Sequence, residues 1–262
     1  MATVPNHTLR QLREGKLALG LGLRQARTVD TAQIAKTCGY DWLFIDCEHN
    51  SMDGDTAAQI AAASLAVGVT PVARVAGLEH WHASRILDNG AQGIVVPHVD
   101  SATEAERVAA ACRYPPIGHR SMGGGLQQLG FAPVPVGEAA RIVNEETLVV
   151  VMIESPQGVA NCAEIAAVKG IDALLIGTND LCFEMGIPGQ FNDPRVAEAY
   201  KKVIAACRKH GKFPGMGGMY TPELLERHIA MGVQLILSGS DFSLLMQAGK
   251  ARAELVRGFE KK

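Results

Sequence analysis

Eight short apolar or β-branched runs recur along the chain: Leu17 to Arg24, Trp42 to Asp46, Pro71 to Val75, Gly93 to Val99, Thr147 to Glu154, Ala173 to Gly177, Phe213 to Gly217 and Leu235 to Gly239. Runs of this length and near-continuous apolar character predict strands covered on both faces, as in a parallel sheet. Between them, Asp53 to Val67, Ala102 to Cys112, Gly158 to Val168, Asp193 to His210 and Pro222 to Met231 carry helical periodicity. Strand and helix alternate about eight times, as a parallel barrel requires. The expected architecture is α/β, a single (β/α)8 TIM barrel over residues 1–262.

Punctuation supports this division. Thr221-Pro222-Glu223 offers an N-cap, a proline at the first helical position and an early acid. Gly68, Gly90, Gly170, Gly211 and Gly232 each follow a helical run and precede a strand, where a left-handed C-cap is expected. Only Tyr114 to Val136, with Pro115-Pro116, Gly123 to Gly125, Pro133 and Pro135, breaks the rhythm; loops of this length are often functional.

Composition narrows the function classes. The 262 residues suit one large barrel or two smaller domains, and no Pro-, Gly- or Ser-rich linker divides them. A net charge of −2 with scattered basic residues excludes a nucleic-acid footprint and leaves a small molecule as the expected partner. The six cysteines form no C-x-x-C pair and read as reduced thiols of a cytoplasmic protein. Met1 to Arg10 lacks the apolar stretch of a signal peptide, and no run spans a membrane without a charge or glycine.

In a barrel of this kind the active site lies at the carboxyl ends of the strands. The second run leads into Asp46, Glu48 and His49, the third into Arg74, the fifth into Glu154 and the sixth into Asp180. Any one of these charges alone is as readily a helix cap or an ion-pair partner. Together they point to a shared polar centre, because burying an unpaired charge costs several kcal/mol or more.

Glu154 and Asp180, from successive strands, suit one hard cation with positions left for water and substrate. A 2-oxo acid could bind there, with Arg74 neutralising the charge that grows on its keto oxygen during enolisation. Backbone N–H groups of Gly177, Thr178 and Asn179, turning into Asp180, are candidates for its carboxylate. His49 and Asp46 lie three apart where strand becomes loop, and a carboxylate beside an imidazole fixes its tautomer; this pair is the candidate acid–base machinery. A Schiff-base mechanism would need a lysine at a strand's active end. The lysines instead precede strands (Lys16, Lys169, Lys212) or belong to helical stretches.

The stretches F-I-D-C-E-H, P-V-A-R-V, I-L-D-N-G-A-Q-G-I-V-V-P, R-Y-P-P-I-G-H-R, M-I-E-S and I-G-T-N-D-L cover nearly every strand in order. In them the chain resembles the class II pyruvate aldolases related to 4-hydroxy-2-oxoheptanedioate aldolase and 2-dehydro-3-deoxyglucarate aldolase, in the superfamily of the citrate lyase β-subunit. The resemblance implies a barrel of the phosphoenolpyruvate/pyruvate-binding type. It implies a divalent cation (Mg2+, Mn2+ or Co2+) on Glu154 and Asp180, and reversible cleavage of a 4-hydroxy-2-oxo acid to an aldehyde and pyruvate or a close analogue such as hydroxypyruvate. Arg74 would face the enolate oxygen, and His49 with Asp46 would form the catalytic dyad. Asp88 would reach the site of a neighbouring subunit in a trimer of dimers with exchanged C-terminal helices, so that Leu244 to Phe259 packs on a partner. One position departs from the family pattern: Met152 stands where a glutamine is common two residues before the metal-binding glutamate.

Other readings stay open at this stage. Tyr114 to Val136, with Arg120, is either the receiver of the aldehyde or a surface loop. Glu48 is either a neighbour of the metal ligands or an ion-pair partner. His80 and His82 beside Trp81, on opposite sides of an extended segment, read as surface residues. Strand alternation points Cys47 away from Asp46 and into packing, and Met216 and Met219 read as packing under the seventh strand. Rival functions are a lyase for a coenzyme A thioester of the citramalyl or malyl type, a 2-oxo acid decarboxylase, and a non-catalytic 2-oxo acid-binding barrel.

Overall fold

Strands covered on both faces need apolar residues at every position, and β2 (Trp42–Asp46), β3 (Thr70–Arg74), β4 (Gly93–Val96), β5 (Leu148–Ile153) and β6 (Ala173–Gly177) are buried throughout. With β1 (Ala18–Leu23), β7 (Phe213–Gly217) and β8 (Leu235–Ser240) they close a parallel barrel in sequence order, β8 pairing back onto β1. These are features of a computed structural model that describes residues 4–260. Residues 1–3 and 261–262, the outer ends of the one-domain expectation, lie outside the described residues.

Alternation along each strand supplies two cores. Inside the barrel, Trp42, Phe44, Val72, Val95, Val150, Met152, Leu175 and Leu235 pack on one another. Outside it, Leu43, Ile45, Ile94, Val149 and Val151 meet a surrounding shell of helices. The described helices are α1 (His7–Arg13), α2 (Thr31–Thr37), α3 (Gly54–Val67), α4 (His80–Asp88), α5 (Ala102–Cys112), α6 (Val136–Glu146), α7 (Pro156–Ala167), α8 (Thr178–Glu184), α9 (Pro194–His210), α10 (Pro222–Met231) and α11 (Asp241–Arg257). As the caps predict, Gly68, Gly211 and Gly232 end their helices in the left-handed region, and Gly90 and Gly170 take positive φ in the turns that follow theirs. No described helix is long and apolar enough to cross a membrane.

Helix α1, unmarked by the apolar runs, does not belong to the outer shell. Leu9 and Leu12 join the interior cluster with Ala18 and Trp42, so this helix closes the barrel at the amino ends of the strands. Buried Asn6 caps it and donates from Nδ2 to the carbonyls of Gln92 (3.0 Å) and Glu146 (2.9 Å).

Three sequence expectations are corrected by the fold. The fourth strand stops at Val96 rather than Val99, because His98 takes a left-handed φ of 50° that no strand accommodates. His80 and His82 open α4 rather than lying in an extended segment, with the His82 ring stacked on Trp81. Tyr114 to Val136 is packed rather than loose: Tyr114, Leu126 and Leu129 form a small core with Ala139 and Val143 of α6. Arg120 is buried there, 2.6 Å from Asp88 and over the Tyr114 ring, so it does not present itself to an aldehyde.

Candidate active site

Glycines near the carboxyl ends of four strands, Gly22 (β1), Gly177 (β6), Gly217 (β7) and Gly239 (β8), line an opening at the top of the barrel. With no side chains there, a cavity of about 260 Å³ remains, lined also by Phe44, Asp46, His49, Arg74, Met152, Leu175, Thr178, Asn179 and Asp180. That is slightly below the roughly 300–1,000 Å³ of sites for drug-sized ligands, and suits a small organic acid. No lysine lines it.

Asp46 and Arg74 are register partners on β2 and β3, and their side chains meet in a two-pronged pair: Nε to Oδ1 at 3.0 Å and Nη2 to Oδ2 at 2.8 Å. Asp46 also accepts the backbone N–H of Glu48 and His49 and the side-chain amide of Asn50. Burial raises its carboxyl, yet the hydrogen bonds and charge of Arg74 carry it below the usual carboxylate range. Glu48 Oε2 lies 2.9 Å from Nη1 of Arg74 without the alignment of a hydrogen bond, and Phe44 lies under the guanidinium. Arg74 is thus fixed from three sides, its Nη1 turned to Glu48. Of the two readings of Glu48, the structure shows the ion pair.

The expected contact between Asp46 and the His49 imidazole is not made. The His49 ring is half exposed beside Glu48, 3.7 Å away, because the carboxylate of Asp46 is fully engaged by Arg74 and by backbone N–H groups. Both residues still line the one cavity.

Glu154 follows β5 directly and is 1% exposed. Its Oε2 accepts the backbone N–H of His98 at 2.9 Å, which the left-handed turn at His98 presents, and no lysine or arginine pairs with it among the described residues. Burial pushes the carboxyl up to about 7, opposed by the N–H and ring of His98 and assisted by the negative charge of Asp180. A Cβ at Gly177 would overlap this carboxylate, so glycine is required where β6 ends. A buried carboxylate without a basic partner, in electrostatic contact with a second acid, fits the ligand set for a hard cation with several positions left for water and substrate. Among the described residues no cluster of three or more His, Cys, Asp or Glu side chains offers a fuller protein cage.

Helix α8 starts at Thr178, immediately after β6, so the N–H groups of its first turn have no intrahelical acceptor. The Thr178 side chain is not available to substrate: it is fully buried, bonded to the Tyr200 hydroxyl and the Gly217 carbonyl, both at 2.8 Å. Asp88 does not line this cavity; it ends α4 and pairs with Arg120. Cys47 is half buried against the outer core, its thiol raised to about 11 by burial. Met216 and Met219 are buried in the same core.

Residues 24–248 match the HpcH/HpaI aldolase/citrate lyase family. The chain belongs to that family. It is 37% identical to a 4-hydroxy-4-methyl-2-oxoglutarate aldolase of Hapsidospora irregularis, over 94% of this chain and 92% of that one. It is also 37% identical to a hydroxypyruvate/pyruvate aldolase of Delftia acidovorans, over 84% and 81%. Its backbone superposes on an HpcH/HpaI aldolase from Desulfitobacterium hafniense with a TM-score of 0.91 at 28% identity, over 97% of both chains. Within this family framework, sequence reasoning missed His98, Asn50 and Tyr200. His98 alone left a local signal, a histidine directly after the P that ends I-V-V-P. Asn50 lies only four positions from Asp46 but carries no motif of its own, and Tyr200 acts through Thr178, buried with it in the fold.

Proposed function

We propose that the chain is a divalent-cation-dependent aldolase that reversibly cleaves a 4-hydroxy-2-oxo acid into an aldehyde and pyruvate, or a close 2-oxo acid such as hydroxypyruvate. The observation that carries this reading is Glu154, a carboxylate buried without a lysine or arginine partner at the active end of the barrel. Leaving such a charge uncompensated costs several kcal/mol. Glu154 and Asp180 would hold Mg2+, Mn2+ or Co2+, and the chemistry supplied by the bound cation is Lewis-acid polarisation of the keto carbonyl.

The chain's own groups do the rest. First-turn N–H groups of α8 at Thr178, Asn179 and Asp180 bind the carboxylate of the 2-oxo acid. Arg74, held rigid by Asp46 and Glu48 at the cavity wall, offers its charge to the oxygen where negative charge grows, so it needs no reorganisation in the transition state. His49 stands at the cavity mouth, free to carry the proton to and from the aldol oxygen. Asp46 acts through Arg74, as a positioning residue. The cavity volume suits a small organic acid rather than a nucleotide-bearing thioester.

The family resemblance extends the reading to assembly: Asp88 serves a neighbouring subunit's site, and Leu244 to Phe259 contacts a partner in a trimer of dimers. The apolar residues Leu245, Met246, Leu255 and Val256, exposed on α11, support the second statement. Six free cysteines support a cytoplasmic setting. The deciding experiment is a screen of 2-oxo acids and aldehydes with metal-stripped protein, restoring one cation at a time. Turnover should vanish with chelator and return with the cation. Full activity under chelation, or borohydride trapping of pyruvate on the protein, would overturn the mechanism.

A further inference from the structure

The turn that follows β4 is anchored just beyond His98. Val99 donates its N–H to the Met152 carbonyl on β5 at 3.2 Å, the Asp100 carboxylate accepts the Ser155 hydroxyl, and Asn161 of α7 donates to the Asp100 carbonyl at 2.7 Å. Between Val96, where β4 ends, and these anchors, His98 takes its left-handed φ of 50°, a conformation in which histidine is one of the few side chains found with any frequency. The turn points its N–H at Glu154 Oε2, 2.9 Å away, and brings Nδ1 of the half-exposed ring to 3.8 Å from the same oxygen.

The two oxygens of Glu154 therefore stand in different surroundings. Oε2 is faced by His98 with both backbone and ring. Oε1 receives no hydrogen bond among the described residues and lies against Gly177, where it is the atom a Cβ would strike first. Gly177 ends the strand that leads into Asp180, which lines the cavity and whose charge acts on Glu154.

We infer that His98 is the supporting partner of the cation-binding carboxylate: its backbone N–H and Nδ1 hold Glu154 Oε2, which leaves Oε1 as the oxygen offered to the cation. This rests on the reading of Glu154 and Asp180 as the cation's ligands. His98 is a positioning residue, because it acts on the cation only through Glu154. A buried carboxylate with no other donor loses its fixed orientation when this support is removed, and partners of this kind contribute roughly 10–100-fold to metal affinity.

The test is titration of the metal-stripped full-length protein with Mn2+ by calorimetry at one fixed pH. His98→Gly keeps the left-handed turn and the backbone N–H but removes the ring, and should weaken Mn2+ binding on the order of 10-fold. His98→Asn also tolerates positive φ and carries its amide nitrogen one bond beyond Cγ, as Nδ1 is carried in histidine, so it should recover most of that loss. Glycine fits the turn at least as well as asparagine, so a gap in affinity that favours asparagine cannot come from the backbone. Equal affinity in the wild type and His98→Gly, or equal weakening in His98→Gly and His98→Asn, would overturn the role of His98. Glu154→Gln separates the two readings. If it abolishes Mn2+ binding while His98→Gly leaves binding unchanged, the cation site stands without His98. If Glu154→Gln binds Mn2+ as the wild type does, the cation reading of Glu154 falls and this inference falls with it.

Discussion

Arg74 owes its orientation to Asp46, and this changes what variants of either residue should do. Arg74→Ala should lower the rate of carbon–carbon cleavage on the order of 100-fold, the usual cost of losing one preorganised donor. Asp46→Asn removes the charge and one of the two acceptors that hold the guanidinium, so steady-state kinetics should show the same kind of loss in kcat with the pH profile near neutrality unmoved. His49→Ala should instead flatten that profile. An Asp46 variant that behaves like the His49 variant would restore the dyad expected from their spacing. Gly177 offers an independent check on the cation site. Gly177→Ala drives a methyl group into the Glu154 carboxylate, and titration calorimetry should show cation affinity reduced by 10-fold or more. Unchanged affinity would separate Glu154 from the metal.

At the level of elements, the strands and the helices α3, α5, α7, α9 and α10 were legible because their signals are local. Asp53 and Asp193 cap α3 and α9, Pro156, Pro194 and Pro222 begin α7, α9 and α10, and positive-φ glycines end several helices. Helix α1 was not legible, since its apolar residues are few and gain their meaning only by meeting the barrel floor. Leu9→Ala should cost about 2–5 kcal/mol in denaturant unfolding, because the cavity opens in the closed interior; a cost below 1 kcal/mol would make α1 a surface helix. His228, buried in α10 against Tyr200, carries a pH effect. Burial lowers its pKa below 6.5, so the unfolded chain binds more protons than the folded one as the pH falls. Its contribution to stability is present above pH 6.5 and lost on acidification below it. Melting curves between pH 7.5 and 5 should therefore fall less steeply for His228→Leu than for the wild type; equal slopes would exclude His228 as the source.

For the whole molecule, a cation that binds the folded state alone raises stability by mass action, by about 2.7 kcal/mol at 100 times its dissociation constant. Thermal unfolding should shift upward with Mg2+ or Mn2+, and Glu154→Gln should abolish the shift. The same variant without cation should melt higher than the metal-free wild type, because it no longer buries a carboxylate lacking a basic partner. A variant that keeps the cation shift would place the metal elsewhere. Helix α11 buries no residue against its own chain. If a partner covers it, Leu245→Glu with Met246→Glu should shift light scattering toward smaller species, and an unchanged mass would leave α11 outside the contact.

By itself the sequence determined the order of strands and helices, the parallel barrel they form, and the set of polar residues at the strands' carboxyl ends. Each of these follows from short-range periodicity, from caps, and from the rule that parallel strands bury both faces. Only the tertiary structure decided who touches whom. Asp46 meets Arg74 across 28 positions of chain, and His98 meets Glu154 across 56. Such contacts depend on strand register and on barrel closure, which no local window encodes. Spacing alone favoured His49 as the partner of Asp46, since it sees three residues of separation and not the guanidinium that the adjacent strand delivers.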